Sequence, residues 1–230
     1  MNWTASVDIY CERLGPGLFA EPLNAVTNLS FILAAWLALR AARARGRLDA
    51  PMRLLIGLTF AVGIGSFLFH TFAQRWAGLM DVVPILLFIV TYLCVATWRY
   101  FGARLAEGLT LAVAFVFFAS GVRSAAVAAL PPAFDGATGY LPALLALLAF
   151  GVLLLARRQA VGAWLLGAGV VFSASLTFRA IDARVCDAYP MGTHFLWHVL
   201  NGVVLGLLLF AYLRHGARER RAVAGRKAAA

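Results

Sequence analysis

Seven apolar runs, separated by short polar connections, occupy most of this 230-residue sequence. Each run is long enough to cross roughly 30 Å of hydrocarbon at about 1.5 Å per helical residue. In the bilayer interior every backbone polar group needs a partner within the protein, so runs of this length fold as helices. The runs lie at 24–42, 53–73, 80–98, 104–123, 139–156, 160–179 and 193–213. The sequence therefore predicts an all-α integral membrane protein, a bundle of seven transmembrane helices.

The amino-acid composition excludes an ordinary soluble domain. Apolar residues make up 63% of the chain and the mean hydropathy is +0.85, more than a soluble globule of this size can bury. The net charge of +10 comes from basic residues between the apolar runs, not from a basic face with aromatic platforms. We therefore expect a lipid bilayer around the protein and no nucleic-acid partner.

Basic residues are divided unequally between the two sets of connections, and this predicts the orientation. Fifteen lie on one side and five on the other, and cytoplasmic connections are the ones enriched in Lys and Arg. The N-terminus is then outside and the C-terminus cytoplasmic. We expect one domain over 1–230, with an extracytoplasmic segment at 1–23, helices at 24–213 and a basic cytoplasmic tail at 214–230. The Arg-rich and Ala-rich composition indicates a bacterium, and hence its inner membrane.

Three of the four histidines lie inside apolar runs. His194 and His198 are four residues apart, which places them on one face of a helix about 6 Å apart along its axis. His70 lies in the second run at the same predicted depth. An ionisable side chain inside a membrane protein is a candidate for function. We predict that these three imidazoles bind zinc and leave its fourth position open.

Ser66 and Asp81 are predicted at the same depth as the histidines. Ser66 lies one helical turn before His70, and Asp81 follows the outer boundary of the third run. Zinc lowers the pKa of a bound water to about 7 and so creates a nucleophile. Asp81 could transfer the proton of that water, and the Ser66 hydroxyl could donate to a developing oxyanion. The pattern predicts hydrolysis of an amide or ester in a membrane lipid.

Other interpretations of these residues stay open. An intramembrane histidine often bonds to a neighbouring helix, a serine beside glycines often packs, and an aspartate at a membrane boundary often contacts headgroups. Retinal would need a lysine within a transmembrane span. It is excluded because the only lysine, Lys227, lies in the tail. Haem held by two of the histidines would leave the third histidine and Asp81 without a role.

Several segments, in the same order along nearly the whole chain, resemble the alkaline ceramidases. They are Asp8–Glu12, Glu21–Asn28, Gly65–His70, Asp81 and His194–His198. These enzymes belong to a superfamily of seven-span presumed hydrolases that includes adiponectin receptors and GPI-remodelling proteins. The resemblance implies zinc held by His70, His194 and His198, with Ser66 and Asp81 beside it. It also implies cleavage of the N-acyl bond of a ceramide-like lipid into a sphingoid base and a fatty acid.

The resemblance implies a calcium site in the N-terminal segment as well. Its ligands here would be Asp8, Glu12, Glu21 and Asn24. Carboxylate oxygens in an exposed segment suit this ion. The sequence departs from the family pattern at three points: Tyr10 replaces a tryptophan, Leu14 replaces an asparagine ligand, and Asp8 lies one place early.

A disulfide between Cys11 and Cys186 is implied by the same resemblance. The predicted topology puts both on the outer face, where an oxidising compartment permits the bond. Two further functions stay open. One is hydrolysis of a different lipid amide or ester, and the other is lipid binding by a receptor-like protein whose zinc is structural.

Overall fold

The computed structural model describes residues 2–131 and 134–216 of the chain. Within these ranges it contains helices and no strands. Seven segments are long and apolar enough to cross a membrane, which confirms the predicted seven-helix architecture. The helices are α1 (Pro22–Thr27), α2 (Leu29–Ala44), α3 (Ala50–Phe72), α4 (Arg75–Tyr100), α5 (Leu105–Ala129), α6 (Asp135–Thr138), α7 (Leu141–Ala156), α8 (Val161–Val185) and α9 (His194–His215).

The first span combines α1 and α2, which meet at Asn28 with helical backbone angles. One helix boundary differs from the apolar runs in a way that moves a candidate site residue. The third span begins at Arg75 instead of residue 80, because Ala73 adopts a left-handed conformation (φ 45°) that ends α3 and turns the chain at once into α4. Asp81 therefore lies in the second turn of α4, inside the helix rather than at its boundary.

Small residues allow four of the helices to approach one another closely. Gly63 of α3 lies against Ile32 of α2, and a side chain at Gly65 would collide with the carbonyl of Met80 in α4. The glycines therefore act as points of close helix contact. On its other side α2 meets α9, where Gly202 contacts Ser30.

The N-terminal segment folds across the end of the bundle where α3 passes into α4. The amide of Val7 donates to the carbonyl of Ala73 at 2.8 Å. Cys11 is disulfide-bonded to Cys186, just after α8, which confirms the implied pairing. The segment is thus fixed both to the α3–α4 turn and to the connection that leads into α9. We call this side of the molecule the histidine end.

Two parts of the predicted domain organisation stay predictions. The structure does not orient the bundle in a membrane, so the outward N-terminus rests on the charge distribution alone. The basic tail was expected at 214–230, and of this stretch residues 217–230 lie outside the described part of the chain.

Candidate metal centre

Three imidazoles meet at the histidine end of the bundle. His70 lies in the last turn of α3, and His194 and His198 lie in the first two turns of α9. One ring nitrogen of each lies within 4.8 Å of the others. All three side chains are at most 1% exposed. The four-residue spacing on α9 places two of the rings on one face of that helix, and the last turn of α3 brings the third ring beside them. These are the residues that the sequence analysis predicted at one depth.

Hydrogen bonds occupy one nitrogen on two of the rings. Nδ1 of His70 donates to Glu21 Oε2 at 2.6 Å. Nδ1 of His198 lies 3.1 Å from the Thr27 hydroxyl, which itself donates to the carbonyl of Leu23 and therefore accepts from the imidazole. On both rings Nε2 is then the nitrogen whose lone pair can bind a metal ion. Nε2 of His70 is buried without a hydrogen-bond partner, a situation that costs about 1–3 kcal/mol unless a ligand binds there.

His194 is fixed by its backbone and by ring stacking. Its amide and that of Thr193 donate to Asp182 Oδ1 at 2.9 and 2.6 Å, while Asp182 Oδ2 accepts from the amide of Cys11 at 3.2 Å. The imidazole stacks on Tyr10, with ring centroids 3.7 Å apart. One buried carboxylate thus joins the start of α9 to the N-terminal segment.

This donor set fits zinc. Zinc–nitrogen bonds are about 2.0–2.1 Å long, so two ligands of a tetrahedral zinc lie about 3.3 Å apart, and the three nitrogens here, all within 4.8 Å of one another, need only small side-chain shifts to reach that spacing. Zinc-binding histidines usually give their second ring N–H to a carboxylate or another acceptor, as His70 and His198 do. The three residues predicted as ligands can therefore hold the ion.

Ser66 and Asp81 come together beside a close contact between α3 and α4. Gly65 faces the backbone of Met80, and this contact brings the next residue of each helix side by side. The Ser66 hydroxyl interacts with the Asp81 carboxylate, and Ser66 is 3% exposed. Since Ser66 lies one turn before His70, the pair is adjacent to the histidine cluster. The catalytic roles of the two residues stay predictions.

Arg179 of α8 is a cation at the same site that the sequence analysis used only as a topology signal. Its Nη1 donates to the Tyr10 hydroxyl at 3.0 Å. Its guanidinium carbon lies 5.0–5.7 Å from the ring centroids of Tyr10, Tyr140 and Trp197. Asp81 and Arg179 both act electrostatically on Tyr10, whose ring covers a histidine. The signal that could have revealed it is an arginine at the end of an apolar run, at the depth of the histidines.

The structure gives no support to the calcium site. Asp8 is exposed, and Glu12 accepts hydrogen bonds from the first two amides of the α1 region at 2.6 and 2.8 Å. Glu21 pairs with Arg13, and the Asn24 side-chain amide donates to Glu21 at 3.2 Å. Burial raises the pKa of the Glu12 and Glu21 carboxyls, and Arg13 opposes this at Glu21. In the described part of the chain no three of the carboxylates converge.

An apolar cavity of about 110 Å³ lies inside the bundle, lined in part by side chains that pack against the histidine cluster. Phe31 and Trp197 line it near the site, where the Phe31 ring lies 6.4 Å from that of His198. Tyr92 and Leu208 line it at the far end, and the Tyr92 hydroxyl donates to the Leu208 carbonyl at 3.2 Å. From Trp197 to Leu208 the helix rises about 16 Å, so the lining of the cavity extends over about three turns of α9.

Comparison with known proteins identifies the family. The chain has no match among curated proteins. A family model described as Ceramidase matches residues 4–227, a range that includes the N-terminal segment, all seven spans, the three histidines, Ser66 and Asp81. This agrees with the resemblance found in the sequence motifs. The chain belongs to the Ceramidase family.

Proposed function

We propose that this protein is a zinc-dependent hydrolase that cleaves the N-acyl amide bond of a ceramide-like membrane lipid into a sphingoid base and a fatty acid. Membership of the Ceramidase family supports ceramide hydrolysis in general. The observation that carries the zinc dependence is the convergence of three buried imidazoles, of which His70 presents a nitrogen with no other partner.

Bound zinc would supply a Lewis acid that polarises the amide carbonyl and lowers the pKa of water. In this proposal the three histidines hold the ion. Asp81 accepts a proton from the attacking water and delivers it to the leaving amine. Ser66 donates a hydrogen bond to the oxygen on which negative charge develops. The contact between Ser66 and Asp81 supports these roles because it keeps both groups beside His70.

The apolar cavity supports a lipid substrate. Its lining includes Phe31 and Trp197, whose rings lie 6.4 Å from His198 and 6.5 Å from His194, so a scissile bond held at the histidines could place one hydrocarbon chain inside the bundle. We further propose a single-domain, multi-pass protein of a bacterial inner membrane, with the histidine end toward the outer face. The charge distribution of the connections supports that orientation.

The test combines metal content with acyl release from a fluorescent ceramide in detergent-purified protein. Wild type should carry about one zinc per chain, and His198→Ala should lose both the zinc and the activity. Asp81→Asn should keep the zinc and lose about 10²- to 10⁴-fold in turnover, the range typical of a general acid–base group. His215→Ala, at the other end of α9, is the matched control and should retain both properties.

Three results would change the proposal. Freshly prepared wild type without zinc would contradict the metal site. Zinc with no release from ceramide, but with release from another lipid amide or ester, would keep the mechanism and change the substrate. A His198→Ala protein that unfolds, together with an Asp81→Asn protein that behaves as wild type, would favour a structural zinc in a lipid-binding protein.

A further inference from the structure

Three buried side chains form a line from the N-terminal segment to the histidine cluster. Arg13 Nε donates to Glu21 Oε1 at 2.5 Å, and His70 Nδ1 donates to Glu21 Oε2 at 2.6 Å. The three residues are 5%, 1% and 0% exposed, respectively. A single carboxylate therefore connects a guanidinium with one of the proposed zinc ligands.

The guanidinium is held in place by its own loop. Nη1 of Arg13 donates to the carbonyls of Gly15 and Gly17 at 3.0 and 3.4 Å. Two residues earlier the loop is tied to the α8–α9 connection by the Cys11–Cys186 disulfide. Arginine suits this position because its planar group always carries charge and donates in several fixed directions. The cation that pairs with Glu21 is thus the guanidinium of Arg13, which these contacts hold in position.

The charge of Arg13 has a consequence at His70. A carboxylate removed from water is unfavourable unless a cation and hydrogen-bond donors surround it. When it is so paired, Glu21 can accept the Nδ1 proton of His70, and this fixes both the tautomer and the orientation of the ring. His70 Nε2 then points to the cluster, and it is this nitrogen that is buried without a partner.

We propose that Arg13 is a positioning residue for the zinc site, acting through Glu21, and that it makes the site independent of calcium. This inference rests on the proposed zinc dependence. The oxygens around the guanidinium are one carboxylate oxygen of Glu21 and the carbonyls of Gly15 and Gly17. These are the ligand types that calcium prefers. Arg13 occupies the position that such an ion would fill, so wild type gains no zinc affinity when calcium is added.

The test measures zinc affinity by competition with a chelator, in detergent buffer freed of calcium on a chelating resin. Arg13→Met should bind zinc about 10–100-fold more weakly, the range found when a partner of a metal ligand is lost. Arg13→Lys keeps the charge and should stay near wild type. Glu21→Gln should weaken zinc binding by itself, and adding Arg13→Met to it should change little, because the two residues act in series. Arg75→Met, an exposed arginine at the same end, is the control.

A rescue experiment separates positioning from general structural damage. Arg13→Ala leaves a space bordered by the Glu21 carboxylate and two carbonyls. Guanidinium or calcium ions at millimolar concentration should restore zinc affinity to Arg13→Ala. They should not do so for wild type or for Arg13→Ala combined with Glu21→Gln. Potassium chloride at the same ionic strength controls for screening.

Several results would overturn the inference. The first is an Arg13→Met protein with wild-type zinc affinity, and the second is an Arg13→Lys protein that binds zinc as weakly as Arg13→Met. The third is a double variant in which Arg13→Met lowers the zinc affinity of Glu21→Gln as much as it lowers that of wild type.

If Arg13→Met does not fold, two measurements still decide: the zinc affinity of Arg13→Lys and a calcium titration of wild type. A wild-type zinc affinity that rises with calcium contradicts the proposal. Wild type that binds no zinc would refute the proposed function instead, so the two failures are distinguishable.

Discussion

Replacing Asp182 by asparagine tests how the start of α9 is held. In the structure one carboxylate oxygen accepts two amides, from Thr193 and His194, and the other accepts the amide of Cys11. Hydrogen bonds to a charged group contribute about 1.5–3 kcal/mol each, against about 0.5–1.5 for neutral pairs. In the variant the remaining oxygen keeps two weakened bonds, and the new NH₂ group faces the N–H of Cys11. The expected loss in the free energy of unfolding is about 3–5 kcal/mol.

The assay is SDS-induced unfolding in mixed micelles of zinc-free protein, because bound metal would add its own stabilisation. A loss of this size moves the unfolding equilibrium by roughly 10²- to 10⁴-fold. Hydrogen exchange at the amides of Thr193 and His194 should accelerate most, since these groups lose the charged acceptor. Asp187→Asn, an exposed carboxylate in the same connection, is the matched control.

A change below about 1 kcal/mol would refute this reasoning, because it would mean that a neutral acceptor or water replaces the carboxylate without loss. Equal effects in Asp182→Asn and Asp187→Asn would refute it as well, since they would reflect the net charge of the connection and not the bonds to the backbone.

Two further predictions concern helix contact and chain length. Gly65→Ala should destabilise the protein and reduce turnover, because the new methyl group meets the Met80 carbonyl and separates α3 from α4; Gly57→Ala on the same helix faces open space and serves as control in the same unfolding and turnover assays. Tyr92→Ala should enlarge the far part of the cavity, which Tyr92 lines while it bonds to Leu208, and should shift acyl preference toward longer chains in a competition between ceramides of different length. An unchanged preference would show that the chain does not reach this point.

The number and type of the transmembrane segments could be predicted because a long apolar run has one common solution in a bilayer, the helix. The early start of α4 could not, since it depends on a local backbone turn that hydropathy does not record. The left-handed Ala73 is such a case, because no glycine marks it in the sequence.

The histidine cluster could be predicted because ionisable side chains within a membrane face the interior of the helix bundle, and those at one depth therefore lie near one another. Glu21 could not be assigned in the same way. It lies 49 residues from His70, and no periodicity links a non-helical segment to a helix end. The resemblance therefore assigned it to calcium, whereas in the structure its partners are Arg13 and His70.

The cavity has a consequence for how a membrane enzyme can tell one lipid from another. A hydrocarbon chain that enters it leaves a bilayer as apolar as the lining, so the transfer yields little of the hydrophobic free energy that drives binding from water. Selection must then come from shape. If Tyr92 limits the length, a longer chain would be rejected by steric overlap, while a shorter one would lose only dispersion contacts. Discrimination by acyl-chain length should therefore be steep against long chains and gradual against short ones. Because the lipid comes from the bilayer and not from water, the affinity for it should be expressed as a mole fraction in the membrane.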